Sequence, residues 1–152
     1  MKNSRHSAVR LALATTFLVA LSAENAFAAE DIAVSDAWIR ALPAGVPSGG
    51  YFTLHNGGQK PLTLTGANSP ACGMLMLHRS ENRGGMSAMM DVTGVDVAPG
   101  ATLSFAPGGY HLMCMNAGPA IHPGATVPVI LTFKDGTKVA ANFAVRDAAG
   151  KP

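Results

Sequence analysis

The stretch TVPVILTFKDGTKVAANFAV, residues 126–145, decides the fold of this chain. Two runs rich in β-branched and aromatic residues flank Asp135-Gly136, a dipeptide that favours the tight turn of a β-hairpin. We therefore predict two paired strands, 126–134 and 137–145. Lys134 and Thr137 flank the turn and complete the firmest hairpin of the sequence.

The same alternation of short β-rich runs and turn residues continues towards the N-terminus, at about the 8 to 12 residue spacing of sandwiches and barrels. No part of residues 29–152 shows sustained helical periodicity. The prediction is an all-β, two-sheet Greek-key β-sandwich, with a closed barrel as the alternative. The expected core residues are Trp38, Phe52, Phe105, Ile130, Phe133 and Phe143. The other predicted strands are 32–40, 50–56, 61–67, 73–78, 86–92, 101–106 and 110–115.

The first residues read as an export signal. Basic residues in 1–10 precede the apolar run LALATTFLVALSA (11–23), and Ala26-Phe27-Ala28 is a small-x-small cleavage site. The apolar run is too short to span a bilayer, and no cysteine follows the site, which argues against a lipid anchor. We predict a signal peptide, residues 1–28, cleaved after Ala28, and hence a periplasmic protein.

Removing 1–28 from the 152-residue chain leaves 124 residues, enough for one domain. The leader contains three of the 11 Lys and Arg and one of the 9 Asp and Glu, so the remainder is formally neutral. A formally neutral domain lacks the excess positive charge that is typical of proteins that bind nucleic acid or an anionic membrane surface. We predict a sandwich domain over 29–145, a short flexible tail over 146–152, no membrane insertion after cleavage, and a monomer.

Soft metal donors cluster in the second half of the chain. All seven methionines beyond the leader lie between residues 74 and 115. Alternate residues of a strand share a face, so His111, Met113 and Met115 are predicted to lie on one face of their strand. By the same parity Met74 and Met76 share a face with His78.

Thioether and imidazole together suit Cu(I) and poorly suit Mg²⁺, Ca²⁺ or Mn²⁺. Zinc more commonly adds thiolates or carboxylates to histidine. The alternative is that the methionines only fill an irregular core. That alternative must also explain why two histidines, which are costly to bury unpaired, lie in register with them.

The residues His78, Met89, His111 and Met113 reproduce the spacing H-x10-M-x21-H-x-M. This spacing resembles the signature of the periplasmic copper chaperones called PCu(A)C, and segments such as PGGYHLM (107–113) resemble theirs. The resemblance implies a cupredoxin-like sandwich that binds one Cu(I) through those four residues. It also implies delivery of copper to a cytochrome c oxidase copper centre, alongside Sco-type proteins.

Several residues lie outside that signature. Met74, Met76, Met86, Met90 and Met115 are accessory copper ligands or packing residues. The tail lacks the Met- and His-rich segment that some family members use to capture additional copper. Cys72 and Cys114 form a disulfide by default in an oxidising compartment, but strand parity places them on different faces, which leaves free thiols as the alternative.

Four other functions compete with a chaperone. A blue-copper electron carrier needs a Cys thiolate beside two histidines, and Cys114 follows His111 instead of preceding it. General copper buffering or resistance would use the same site. A hydrolytic metalloenzyme needs a general base, and no Asp or Glu lies within two residues of His78 or His111, so we predict no enzymatic activity. A metal-free interaction sandwich would remain if no Cu(I) bound.

Overall fold

The computed structural model describes residues 31–152, except for the side chains of Asn82, Arg83 and Ser87. The predicted signal peptide and its cleavage site lie outside the described residues. Within 31–152, no helix has the length and apolar character needed to cross a membrane. The described strands are β1 (Ile32–Arg40), β2 (Ser48–Asn56), β3 (Leu62–Asn68), β4 (Cys72–Arg83), β5 (Met86–Asp91), β6 (Val95–Val97), β7 (Thr102–Phe105), β8 (Tyr110–Ala117), β9 (Thr126–Phe133) and β10 (Lys138–Arg146).

The strands pair in the order β5-β4-β8-β2-β1-β10-β9-β3-β6, and β7 pairs with β2 off this path. The β1–β10 pair is parallel and the other pairs are antiparallel. Strand β2 pairs with a different strand along each half of its length on this side. Ser48–Gly50 pair with β8, whereas Phe52–His55 pair with β7. The ladder folds onto itself as a β-sandwich, so the predicted all-β sandwich is confirmed.

Turn chemistry explains the hairpins. Between β9 and β10 Gly136 has a φ of 88°, and the Thr137 N–H donates to Asp135 Oδ1 at 2.9 Å. Between β4 and β5 Gly84 and Gly85 have φ values of 60° and 86°, which glycine adopts without steric cost. The second turn allows β4 to run five residues past its predicted end at residue 78. The short β6 was not predicted.

The core lies between the sheets and contains Phe52, Phe105, Phe133 and Phe143, as predicted. The prediction for Ile130 was wrong, because its side chain is 42% exposed. Strand β9 buries Val127, Val129, Leu131 and Phe133, so its even-numbered positions face outward. A strongly β-forming residue on the solvent face cannot be told from a core residue by its type alone.

Trp38 is only partly buried and does not belong to the core. Its ring packs on Tyr51 with a centroid distance of 4.6 Å, and Arg146 lies over it at 5.1 Å. The residues after β10 form a turn beside this ring, in which the Lys151 and Gly150 N–H groups donate to Asp147 Oδ1 and the Asp147 carbonyl. The segment predicted to be a flexible tail is therefore hydrogen-bonded and docked in the structure.

Candidate metal centre

Strands β4 and β8 place six soft donors opposite one another in three alternate cross-strand pairs. Because alternate residues of paired strands lie on one face, these pairs form a single strip of side chains. We call this strip the donor face. Its pairs are Met74 with Met115, Met76 with Met113, and His78 with His111. Parity within each strand was predicted from the sequence, whereas the pairing of these two strands comes from the structure.

His111 is oriented by its own turn. The imidazole is buried, with 5% of its surface exposed, and Nδ1 lies 3.1 Å from the Gly109 carbonyl oxygen. A carbonyl only accepts, so Nδ1 carries the proton and donates it. The lone pair of the neutral ring is then on Nε2. This is the arrangement by which an outer hydrogen bond fixes the tautomer of a metal-binding histidine.

His78 lies beside His111 without such a partner. Its side chain is 12% exposed, and both ring nitrogens are buried without a hydrogen bond. Asp91 Oδ1 approaches Nε2 to 2.9 Å, but the contact lacks hydrogen-bond alignment. The contact contributes little energy, because the Asp91 side chain is 85% exposed and water screens its charge. A buried imidazole without a hydrogen bond is costly, and a bound metal ion would remove that cost.

Asp91 was not identified from the sequence, because it lies 13 positions from His78 in the chain. The structure places the two residues directly opposite each other on β4 and β5. Only the hairpin at Gly84-Gly85 brings them together. The rule that a base must lie within two residues of a histidine was too narrow for an antiparallel sheet.

The two imidazole rings lie 5.8 Å apart, centroid to centroid, at an angle of 61°. This separation allows one metal ion between the rings, since a ring nitrogen binds a metal at about 2 Å. Tyr51 forms a wall beside them, 6.4 Å from the His111 ring. Its phenol passes over Gly49, where an added Cβ would lie 2.3 Å from the tyrosine oxygen.

Met113 follows on the next cross-strand pair, partly buried, between Met76 on β4 and Gly49 on β2. It shares its face with His111, two residues earlier in the same strand. The structure therefore brings His78, His111 and Met113 together on two adjacent pairs. These are three of the four signature residues.

Met89 stands apart from those three. It lies on the edge strand β5, opposite Ser80, and its side chain is 60% exposed. Ser80 is two residues beyond His78 in β4, so Met89, its partner on β5, lies on the same face of the sheet as the donor face. Met89 is nevertheless separated from His111 by the whole of strand β4. Met90 is opposite Arg79 on the reverse face of β5.

The cysteines are joined across the start of the same strand pair. Cys72 and Cys114 have their Sγ atoms 2.06 Å apart and their Cα atoms 5.4 Å apart. The parity objection fails because Cys72 is the first residue of β4, directly after a turn in which its N–H donates to the Ser69 carbonyl. Near it Asn116, beside Gly73, has a left-handed φ of 50°. Regular alternation therefore ends before Cys72.

Among residues 31–152, no group of three or more His, Cys, Asp or Glu side chains is arranged to hold a metal ion. The assembled donors are thioethers and imidazoles. A site of this composition selects a soft cation over Mg²⁺, Ca²⁺ or a thiolate-bound zinc.

The fold and this site define a β-sandwich protein with a His/Met face on one strand pair. The family profile described as "Putative lipoprotein LpqE-like" matches residues 32–145. The chain belongs to that family. It is also 31% identical, over 123 residues, to "Putative lipoprotein Lxx21020" of Leifsonia xyli subsp. xyli, covering 80% of this chain and 74% of that protein. The lipoprotein names fit an exported protein.

Two solved structures that resemble this chain were determined with copper bound. The Cu(I) form of DR1885 from Deinococcus radiodurans is 27% identical, with a TM-score of 0.63 over 77% of this chain and 78% of that one. The copper-bound PCuAC domain from PmoF2 is 20% identical, with a TM-score of 0.64 over 77% and 93%. The second likeness shows the fold alone. Together with the family match, these findings support the predicted relationship to PCu(A)C proteins.

Proposed function

We propose that the protein is a periplasmic copper chaperone whose cargo is one Cu(I), held by His78, His111, Met113 and Met89. The observation that carries the proposal is the His78 ring, which lies beside His111 with Nδ1 buried and without a partner, and with Nε2 in contact only with the exposed Asp91 carboxylate. A metal ion would give this ring the partner that it lacks. The Cu(I) form of DR1885, related at 27% identity, supports copper as that metal.

The donor set suits a protein that must release its metal. Thioethers bind Cu(I) without losing a proton, and no carboxylate or thiolate adds charge to the ligand set. Met89 is the ligand that an acceptor would replace first, because it is 60% exposed on an edge strand. His111, 5% exposed and fixed by Gly109, would be replaced last.

The acceptor proposed here is a respiratory oxidase copper centre or a Sco-type assembly protein. Support comes from the resemblance of the H-x10-M-x21-H-x-M spacing to the PCu(A)C chaperones. Thiolates of such an acceptor would displace the thioethers one at a time, so copper never leaves as a free ion. No bond other than metal–ligand bonds changes, and the proposed role is non-enzymatic.

The structure disfavours a blue-copper electron carrier. Such a site needs a cysteine thiolate as a copper ligand. Cys72 and Cys114 are both bound in the disulfide, which removes them as thiolates. Adding Cu(II) should therefore give no intense visible charge-transfer band.

The test is an anaerobic Cu(I) competition titration against a chromophoric chelator. His111→Ala should weaken the tightest Cu(I) event by more than about a hundredfold, since removing a ligand costs more than removing its outer partner. The control is His122→Ala, an exposed histidine whose Nδ1 lies 3.3 Å from the Pro123 carbonyl. Unchanged affinity in His111→Ala would refute the site. Transfer is then assayed by adding the apo copper domain of an oxidase.

A further inference from the structure

We propose that Met74, Met76 and Met115 form a second Cu(I) site, made of thioethers alone, at the end of the donor face. It lies beyond the site of the proposed function and shares no ligand with it. The cation class is soft and monovalent, so Ag(I) is the redox-inert probe. The proposal rests on the cross-strand register, the exposure of these methionines and the positions of the other methionines.

The register places the three methionines next to one another on the donor face. Met74 and Met115 are directly opposite, and Met76 is two residues further along β4 on the same face. Opposed residues of an antiparallel pair have Cβ atoms about 4.5 to 5.5 Å apart, and positions i and i+2 are about 6.8 Å apart. Methionine is unbranched with three rotatable bonds, so the three sulfurs can turn towards a common ion.

Packing does not account for Met74, the most exposed of the three. Met74 is 56% exposed, whereas its neighbour Leu75, on the inner face of β4, is 8% exposed. Met76 and Met115 are partly buried and remain accessible. A methionine that leaves more than half of its surface in solvent contributes little to a core, yet its sulfur stays available to a cation.

The accessory methionines of β5 lack this arrangement. Met90 lies opposite Arg79 and Met86 opposite Arg83, on the face of β5 that points away from Met89. The guanidinium opposite Met90 disfavours a nearby cation. The structure therefore separates the five accessory candidates into three that are neighbours on the donor face and two that lie on the reverse face of β5.

The second site is adjacent to the first. Met76, one of its ligands, is directly opposite Met113, a ligand of the proposed chaperone site. Copper bound at the methionine end could move to the histidine end by exchanging one thioether at a time. This transfer, unlike the second site itself, rests on the proposed function.

The experiment is a titration of the purified protein with Ag(I) in chloride-free buffer, followed by native mass spectrometry. Selective ¹³C labelling of methionine methyl groups shows which residues respond. Wild type should bind two Ag(I) ions. Met74→Leu with Met115→Leu should bind one, since leucine keeps the volume but removes the sulfur. Met86→Leu with Met90→Leu is the matched control and should still bind two.

A further variant separates this proposal from the chaperone site. His78→Ala with His111→Ala should keep one Ag(I), with the Met74, Met76 and Met115 methyl signals still shifting. Loss of both ions there, with the fold intact by circular dichroism, would overturn the second site. The second site would also be overturned if wild type bound only one Ag(I) ion, or if the Met74/Met115 variant still bound two. If the histidine variant still binds two ions and the Met74/Met115 variant binds one, the proposed chaperone site fails while the second site stands.

Discussion

The two faces of the β4–β8 pair differ in composition and in burial. On the inner face Leu75, Leu77, Leu112 and Cys114 are between 0 and 8% exposed. On the donor face, one residue away along the same strands, are methionines and histidines with exposures up to 56%. One strand pair thus performs two tasks, separated only by the alternation of side chains.

The difference shows how a small sandwich can present a strip of soft donors without weakening its core. The inner face supplies burial, at roughly 25 cal/mol per Å² of apolar surface, and fixes the register. The same register sets the positions of the side chains on the donor face, so those side chains need not contribute to the core. Changes on the inner face should affect stability, and changes on the donor face should affect metal binding.

Leu112→Ala tests the inner face and should have the largest effect on stability. Leu112 is fully buried, so the cavity should cost about 2 to 5 kcal/mol of unfolding free energy. Chemical denaturation measures this, and the folded variant should keep its Cu(I) stoichiometry. A loss below about 1 kcal/mol would show that the inner face is not the tight core described here.

Replacing both Cys72 and Cys114 by serine should be the next largest change. The bridge closes a loop with a sequence separation of 42, for which chain entropy predicts about 4 kcal/mol and measured values are commonly about 2 to 4. Denaturation of this variant is compared with that of the wild type. Equal midpoints would show that the bridge contributes no stability.

Gly49→Ala tests the wall of the donor face. Its Cβ would lie 2.3 Å from the Tyr51 oxygen, so the ring must move, at a cost of about 1 to 3 kcal/mol. The control is Gly66→Ala in β3, where an added Cβ meets nothing within 4 Å. Thermal denaturation of the pair should separate them. Equal midpoints would contradict the close approach of Tyr51.

Ile130→Thr should have the smallest effect. Ile130 is 42% exposed on the outer face of β9, and threonine keeps the β-branched shape, so stability should change by no more than about 0.5 kcal/mol. Leu131→Ala, at the fully buried neighbour, should cost several times more by the same denaturation assay. Similar losses at both positions would mean that the faces of β9 are not distinct.

Much of the fold could be read from short-range signals. The Asp135-Gly136 turn and the aromatic residues of β2, β7, β9 and β10 predicted hairpins and a core that the structure contains. The start of β2 at Ser48, the end of β4 at Arg83 and the exposure of Ile130 depended on neighbours that the sequence does not reveal. The docking of residues 147–151 near Trp38 is likewise a tertiary contact between the two ends of the domain.

The class of ligand can be predicted from the sequence, because clustered thioethers and imidazoles with fixed parity indicate a soft metal. Which of these donors meet depends on strand pairing, which is visible in the folded structure and not in the sequence. Pairing β4 with β8 places His78 opposite His111 and Met76 opposite Met113, while the Gly84-Gly85 hairpin brings Asp91 to His78. The physical reason is that side-chain alternation is a property of one strand, whereas the cross-strand register is set by the burial of the whole core.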